Sequence, residues 1–347
     1  MHISIVGAGP AGLYLAKQLK DFDVEILEEH PKVGEPVQCT GILSKTIEQF
    51  VKIPEEIILN KIRGARLFSP SGEMIEVKQS EVKAYIVDRA KFDQHLAEDV
   101  DVKFNTRVSE IPKSDYVIGA DGPSSEIARL AGFPPLEDVV VGVQYVIKNP
   151  GYDEDFVEAY AGSEVAPNFF AWIVPAGDNL RVGLATNKSP VAYLDKFVKK
   201  KFSSPEILQK NAGQIPLKWR SSFVKDNVAL LGDAAGQVKA TTGGGVYMGF
   251  LSAEILAEAI KNNNLQGYEE NWKIEALPEL KLNHKIHEIY KKLQDSEIDN
   301  ITKLVKSANL NEVIAEYGNT EKPSILVKHL LKNPRALKLL PYLRHIL

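Results

Sequence analysis

The chain contains a single cysteine, which rules out an internal disulfide framework. It has no CxxC pair and no Cys/His ligand spacing, so no metal site is expected. No apolar run approaches the ~18 residues that a membrane-spanning helix needs. An excess of one charge is also missing: 42 Lys and Arg stand against 46 Asp and Glu, a formal net charge of −4. No basic stripe interleaved with aromatics appears in the first two thirds, which argues against nucleic acid as a partner. Low-complexity tracts and internal repeats are absent. The first apolar run starts at residue 2, so no signal or transit segment is expected, and the lone thiol suits a reducing, cytoplasmic setting. What remains has ordinary globular proportions. At 347 residues, 44% hydrophobic and 25% charged, the chain can form one large domain or two interleaved ones.

The most informative stretch is the N-terminal MHISIVGAGPAGLYLAKQLKDFDVEILEEH. Ile3, Ile5 and Val6 read as a buried parallel strand leading into Gly7, Gly9 and Gly12 in GxGxxG spacing, with Pro10 and Ala11 between them. Gly7 permits the tight turn. Gly9 lets backbone approach a pyrophosphate without an intervening Cβ, and Gly12 lets the following helix pack closely on the strand. The helix keeps Leu15, Leu19 and Phe22 on one face and points its N-terminal N–H groups at the anion. Glu28, at the end of the second strand and followed by Glu29, is placed to accept hydrogen bonds from a ribose. Strand, glycine turn, helix, strand and acid in that order point to a dinucleotide, against the alternative of a plain βαβ unit.

Residues 31 to 44 form a Gly/Pro-broken loop of the kind often functional beside a nucleotide site. Residues 62 to 88 alternate around the turn Pro70, Ser71, Gly72 and read as antiparallel strands. DRAKFDQHLAE is helical, with Phe92 and Leu96 at i, i+4, and DVKFNTRV and DYVIGADG return to strand character. Strands dominate from Val139 to about Ile215, with one helix near Tyr193 to Lys200. VALLGDAAG opens a loop. Val246 to Ile260 is a helix with Val246, Phe250, Ala253, Ala257 and Ile260 facing inward, and everything after Leu265 reads as helical.

Three later segments separate a flavin dinucleotide, FAD, from NAD. Arg89 opens a helix next to a strand end, against the alternative of a surface ion pair with Asp88 or Asp93. In YVIGADGPSS an apolar strand ends at Asp121 and Gly122, with Ser124 and Ser125 available as helix caps. In VALLGDAAGQVKATTGGGVYMG, Gly232 precedes Asp233, an acceptor for a polyol hydroxyl. Gly243, Gly244 and Gly245 then run into a helix beginning at Val246, whose N-terminus stabilises negative charge on a reduced ring.

Together these segments resemble the glutathione-reductase-like FAD fold shared by aromatic hydroxylases, flavin halogenases and geranylgeranyl reductases, over residues 1 to about 262. GEPVQCTG (34–41) resembles the flavin-proximal cysteine loop of the geranylgeranyl reductase family, the digeranylgeranylglycerophospholipid reductases among them. PNFFAWIVP (167–175) is similar to that family's Tyr-x-Trp-x-Phe-Pro motif. Trp172 and Pro175 match, whereas Phe170 stands in place of the tyrosine and Val174 in place of an aromatic. The resemblance implies an α/β (α+β composite) fold: an FAD-binding Rossmann domain, an inserted antiparallel substrate sheet and a helical C-terminal region. The expected boundaries are 1–61, 84–138 and 216–262 for the FAD domain, 62–83 and 139–215 for the sheet, and 263–347 for the helices.

The resemblance further implies hydrogenation of isolated C=C bonds in a long isoprenoid chain of membrane lipids of the archaeal kind, or of their precursors. Such alkenes have no carbonyl to polarise, so a dry channel is expected, lined by Phe169, Phe170, Trp172 and Pro175. Ordinary thiols titrate near ~8.5 and carry a proton at neutral pH, which makes Cys39 the expected proton donor, against the alternative of a buried small hydrophobe. With a single GxGxxG and no second nicotinamide unit, a ferredoxin-like or other protein donor is expected. A flavin monooxygenase of the same superfamily and a flavin electron carrier are the competing readings. FAWIVP holds only the second tryptophan of the halogenase pattern Trp-x-Trp-x-Ile-Pro. From Lys322 to Leu347 there are six Lys or Arg and no Asp or Glu, consistent either with peripheral contact on the inner face of a membrane or with a docked helix broken at Pro334 and Pro341. His284 and His287 read as surface histidines.

Overall fold

The computed structural model describes residues 1–343; Arg344, the last basic residue of the tail, lies outside them. The chain forms two compact units. The first comprises Met1–Val37, Asp88–Val139 and Gln214–His284; the second comprises Gln38–Val87, Val140–Gly213 and the described residues from Lys285 onward.

In the first unit a six-stranded sheet runs Val224–Lys225, Val228–Leu230, Tyr116–Gly119, His2–Val6, Asp23–Leu27, Val102–Lys103. Every neighbouring pair is parallel except the outer hairpin of Val224–Lys225 with Val228–Leu230. A parallel sheet is covered on both faces, and its central strands accordingly read as apolar runs: Ile3, Ile5, Val117 and Ile118 are fully buried. The helix Pro10–Gln18 packs against the helix Val246–Lys261, with the Tyr14 ring stacked on Phe250 at 4.3 Å. Tyr14 also donates its hydroxyl proton to Glu254 at 3.0 Å. Along the second helix Phe250, Ala253, Ala257 and Ile260 are buried as the periodicity predicts. Val246 is only half-buried, because it starts the helix where the glycine loop ends.

The expected strand DVKFNTRV shrinks to Val102–Lys103. Asn105 adopts φ +53°, a left-handed conformation that ends extended pairing. The segment is instead tied back by Asn105 N–H to the His30 carbonyl at 3.3 Å and Thr106 N–H to that of Glu28 at 2.8 Å.

In the second unit a seven-stranded sheet runs Ile207–Pro216, Val139–Lys148, Asn179–Thr186, Phe170–Ala176, Phe156–Ala161, Gly64–Phe68, Met74–Lys78. Side chains alternate across it. One face, including Tyr145, Ile173 and Val182, packs on Leu194, Phe197 and Val198 of the helix Pro190–Lys201. On the other face Val174 and Ala176 pack on Ile62 and Ile86 of a three-stranded antiparallel sheet built from Ile42–Ser44, Ala84–Val87 and Ile58–Ile62. The sheet unit takes in 38–61 and 84–87 as well, where the expected boundaries lay at 61 and 84. At the sheet's edge, Ile75 packs with Val305, Leu310, Ala336 and Leu339 of the C-terminal helices. Burying each Ile, Val or Leu side chain there contributes roughly 1.5–3 kcal/mol.

Candidate active site

The glycine turn has the geometry its spacing requires. Gly7 adopts φ +103°, and a Cβ there would sit 2.5 Å from the Ala120 carbonyl oxygen. A Cβ on Gly12 would lie 2.4 Å from the Gly7 oxygen, so the helix and strand touch at that point. Gly9 is the opposite case. It caps the helix, with Pro10 opening the first turn, and a Cβ there would meet nothing within 4 Å. An open cradle thus lies in front of a helix N-terminus, where free N–H groups and the helix dipole favour an anion. Ala11 follows, its Cβ 3.2 Å from where one on Gly232 would stand and 3.1 Å from one on Gly249.

Glu28 is buried and its carboxylate is already gripped: Oε2 accepts from Ala8 N–H at 2.8 Å. Its Oε1 accepts from His30 N–H at 2.9 Å and contacts His30 Nδ1 at 2.6 Å. Two lone pairs per oxygen leave Oε2 free capacity for a ribose hydroxyl. Glu29, by contrast, is exposed, with Arg107 Nε 3.8 Å away. Arg89 does pair with Asp93, but within the protein interior rather than at the surface. Its charge also reaches Asp233 and holds that carboxyl down, while burial, the larger influence, pushes it up to about 6.

Asp121 accepts from Glu126 N–H at 2.7 Å and Ile127 N–H at 3.1 Å through Oδ2. Ser125 caps the same short helix through Ala128 N–H at 2.8 Å. The other oxygen, Oδ1, is buried with no hydrogen-bond partner among the described residues, and beside it Gly122 adopts φ +75° with open space where a Cβ would be. Burial raises the Asp121 carboxyl pKa, against the pull of its Ser125 and backbone donors. The segment Gly243 to Gly245 then turns into the helix Val246–Lys261, capped by Gly245. A Cβ on Gly245 would stand 2.6 Å from Asp233 Oδ1, and one on Gly244 3.1 Å from Lys239 Cε.

Residues that sequence reasoning passed over hold this loop. Gln237, fully buried, accepts from Gly232 N–H at 2.8 Å and donates to the Tyr268 hydroxyl at 2.7 Å. Arg220 donates to the Ala234 carbonyl at 2.7 Å and to that of Pro134. An open cradle, an orphaned carboxylate oxygen and a side-chain-free loop at a second helix N-terminus fit a dinucleotide carrying a polyol and a ring.

The second unit holds the other sequence candidates. Cys39 is half-buried, and its Sγ accepts from Gly41 N–H at 3.3 Å. Thr40 Oγ1 donates to Gln144 Oε1 at 2.9 Å. Arg181 donates to the Thr40 carbonyl and, at 3.0 Å, to that of Val87. Alternation puts Phe170 and Trp172, half-buried and in edge contact at 6.0 Å, on one face of the strand Phe170–Ala176. Pro175 is buried on the other face. Phe169 precedes the strand, 1% exposed, stacked on Phe170 at 4.4 Å. The signal for Gln144 and Arg181 was present as single polar residues inside apolar strands. The histidines depart from expectation. His287 is 3% exposed against Phe169, while His284 is half-buried with Nδ1 3.0 Å from the Leu217 carbonyl.

Residues 138–215 match a model of the geranylgeranyl reductase catalytic domain, and residues 5–40 match one of the NAD(P)-binding Rossmann-like domain. The digeranylgeranylglycerophospholipid reductase of Methanocaldococcus jannaschii is 31% identical, over 93% of this chain and 96% of that protein. The crystal structure of a geranylgeranyl bacteriochlorophyll reductase-like protein from Thermoplasma acidophilum superposes with a TM-score of 0.85 at 25% identity, covering 100% of this chain and 99% of that one. The similarity therefore runs well past residue 262 into the C-terminal helices. At the level of fold alone, a flavin-dependent brominase superposes with a TM-score of 0.71 at 13% identity, covering 95% of this chain and 98% of that one.

Proposed function

This chain belongs to the geranylgeranyl reductase family, and from that premise we propose that it uses FAD to hydrogenate isolated C=C bonds in geranylgeranyl chains of membrane lipids or their precursors. The observation that carries this reading is that the segment matching the catalytic-domain model contains the strand presenting Phe170 and Trp172 on one face, and Gln144, which is bonded to the loop of Cys39.

The cofactor would be held by the Gly7, Gly9 and Gly12 turn, by Glu28, Arg89, Asp121 and Asp233, and by the loop Gly243 to Gly245. Bound there, it would supply the hydride. The chain's own residues do the rest. Gly9 leaves the space for a pyrophosphate, and the second helix N-terminus stabilises charge on the ring. Phe170 and Trp172 give the isoprenoid an apolar surface that excludes water, and the Cys39 thiol delivers the proton that completes the reduction.

Electrons come from a ferredoxin-like or other protein donor. No helix among the described residues is long and apolar enough to cross a membrane. Access to a lipid substrate is through peripheral contact on the cytoplasmic face, made by Lys322, Lys328, Lys332, Arg335 and Lys338. The helix Pro323–Lys332 has no buried residue, and Leu331 and Leu337 are 40% and 55% exposed.

The test is anaerobic. Chemically reduced protein is given a geranylgeranyl lipid, and mass analysis looks for a gain of two hydrogens per double bond. Oxygen consumption with an aromatic substrate, and no gain in lipid mass, would assign the chain to the monooxygenases instead. Reoxidation only by another protein would make it a carrier.

A further inference from the structure

We propose that Gln144 is a positioning residue, one that locks the loop of Cys39 and the indole of Trp172 into a single arrangement. The inference rests on the reading of that loop as the proton-delivering one.

It starts from strand register. Gln144 and Trp172 lie on different strands, and both pair with Gly183 on the strand between them. Cross-strand partners share a sheet face, so the three form one row. Gly183 has no side chain, and the indole lies across the vacancy: a Cβ at Gly183 would stand 2.6 Å from the Trp172 ring. The ring thereby reaches across an entire strand, and its Nε1 donates to Gln144 Oε1 at 3.0 Å.

An indole N–H can only donate, so the amide atom facing it is the oxygen. The same oxygen takes the Thr40 hydroxyl at 2.9 Å. Gln144 is 5% exposed in the middle of a strand whose only other polar side chains are the Tyr145 phenol and the terminal Lys148. A buried amide is costly there unless its partners are present, and its oxygen has two. Arg181, two residues from Gly183 and therefore on the same face, adds a second anchor through the carbonyls of Thr40 and Val87. The residue next to Cys39 is thus held by its side chain and by its carbonyl, both from one sheet face. The aromatic that lines the proposed substrate surface hangs from the same atom.

The test uses the flavin-loaded full chain and reads the rate at which iodoacetamide alkylates Cys39, the only cysteine, across a pH series, alongside kcat and KM for lipid reduction. Gln144→Met is expected to raise the alkylation rate by about tenfold, as expected for a loop losing hydrogen bonds of ordinary strength, and to lower kcat more than it raises KM. Gln144→Glu keeps an acceptor oxygen and should stay within about threefold of the parent. Thr40→Val removes only the loop arm, leaves the sheet untouched, and should reproduce the alkylation change in part. This keeps the inference testable if Gln144→Met does not fold. Unchanged alkylation in both Gln144→Met and Thr40→Val overturns the positioning role. Full turnover by Cys39→Ala, with the alkylation pattern as expected, overturns the role of the thiol while the clamp stands.

Discussion

Arg89 holds Asp93 through two parallel hydrogen bonds, Nε to Oδ1 at 3.1 Å and Nη2 to Oδ2 at 3.0 Å, with side chains only 11% and 7% exposed. Burial pushes the Asp93 carboxyl upward even so, against the pull of the guanidinium. Removing one partner of a buried pair strands the other charge. Arg89→Met should therefore cost about 3–5 kcal/mol of stability, seen as a lower urea midpoint. Arg89→Met combined with Asp93→Leu should recover most of it, and failure to recover would show that Arg89 matters through its other contacts.

Gly9 and Gly12 make separable predictions. Gly12→Ala places a methyl group 2.4 Å from the Gly7 carbonyl oxygen and should destabilise the fold by about 1–3 kcal/mol. Gly9→Ala has free space within the protein, so its cofactor-free melting temperature should match the parent while bound flavin drops. Equal flavin content in parent and Gly9→Ala would remove the cradle from the cofactor site.

Asp233 carries a pH dependence. Its carboxyl is raised from 3.8 to about 6, chiefly by burial, so the folded cofactor-free chain binds the proton more tightly than the unfolded one. The associated stability is fully present at pH values below the unfolded pKa and is lost as pH rises through about 6. Urea midpoints of the cofactor-free protein should fall across that window, and Asp233→Asn should flatten the fall.

Cys39→Ala and Cys39→Ser should keep their visible flavin absorbance and lose alkene reduction by about 10²–10⁴-fold, the range for a lost general acid. Stopped-flow reoxidation by the lipid separates the two properties, and parent-like rates in both variants would take the thiol out of the reaction.

The basic tail is tested by charge reversal rather than truncation, because Ala336 and Leu339 pack into the unit's edge cluster. Lys328→Glu, Lys332→Glu and Arg335→Glu together should weaken sedimentation with anionic vesicles, at about 1 kcal/mol per basic residue near the surface, and leave neutral vesicles unaffected. Equal binding by parent and triple variant would show the helix to be merely docked.

The nucleotide half was legible because its signals are backbone requirements. A left-handed residue at Gly7 and a contact without Cβ at Gly12 admit almost nothing but glycine, so spacing alone reports geometry. The same holds for Gly243, which adopts φ +70°, and for Gly245, where a Cβ would stand 2.6 Å from Asp233 Oδ1. The three-stranded sheet was not: Ile42–Ser44 and Ala84–Val87 are short and far apart in the chain, and they come together only through their antiparallel pairing and the packing of Ile86 on Val174 and Ala176. The depth of His287 was equally hidden, since helical spacing cannot say whether a face meets water or Phe169.

Local chemistry in the chain, then, settled the parallel-sheet Rossmann-like fold, because glycine, proline and apolar period act over a few neighbours. Tertiary structure decided which side chains converge. Gln144 and Trp172, 28 positions apart, meet only because strand register sets both opposite Gly183, a vacancy wide enough for an indole to cross.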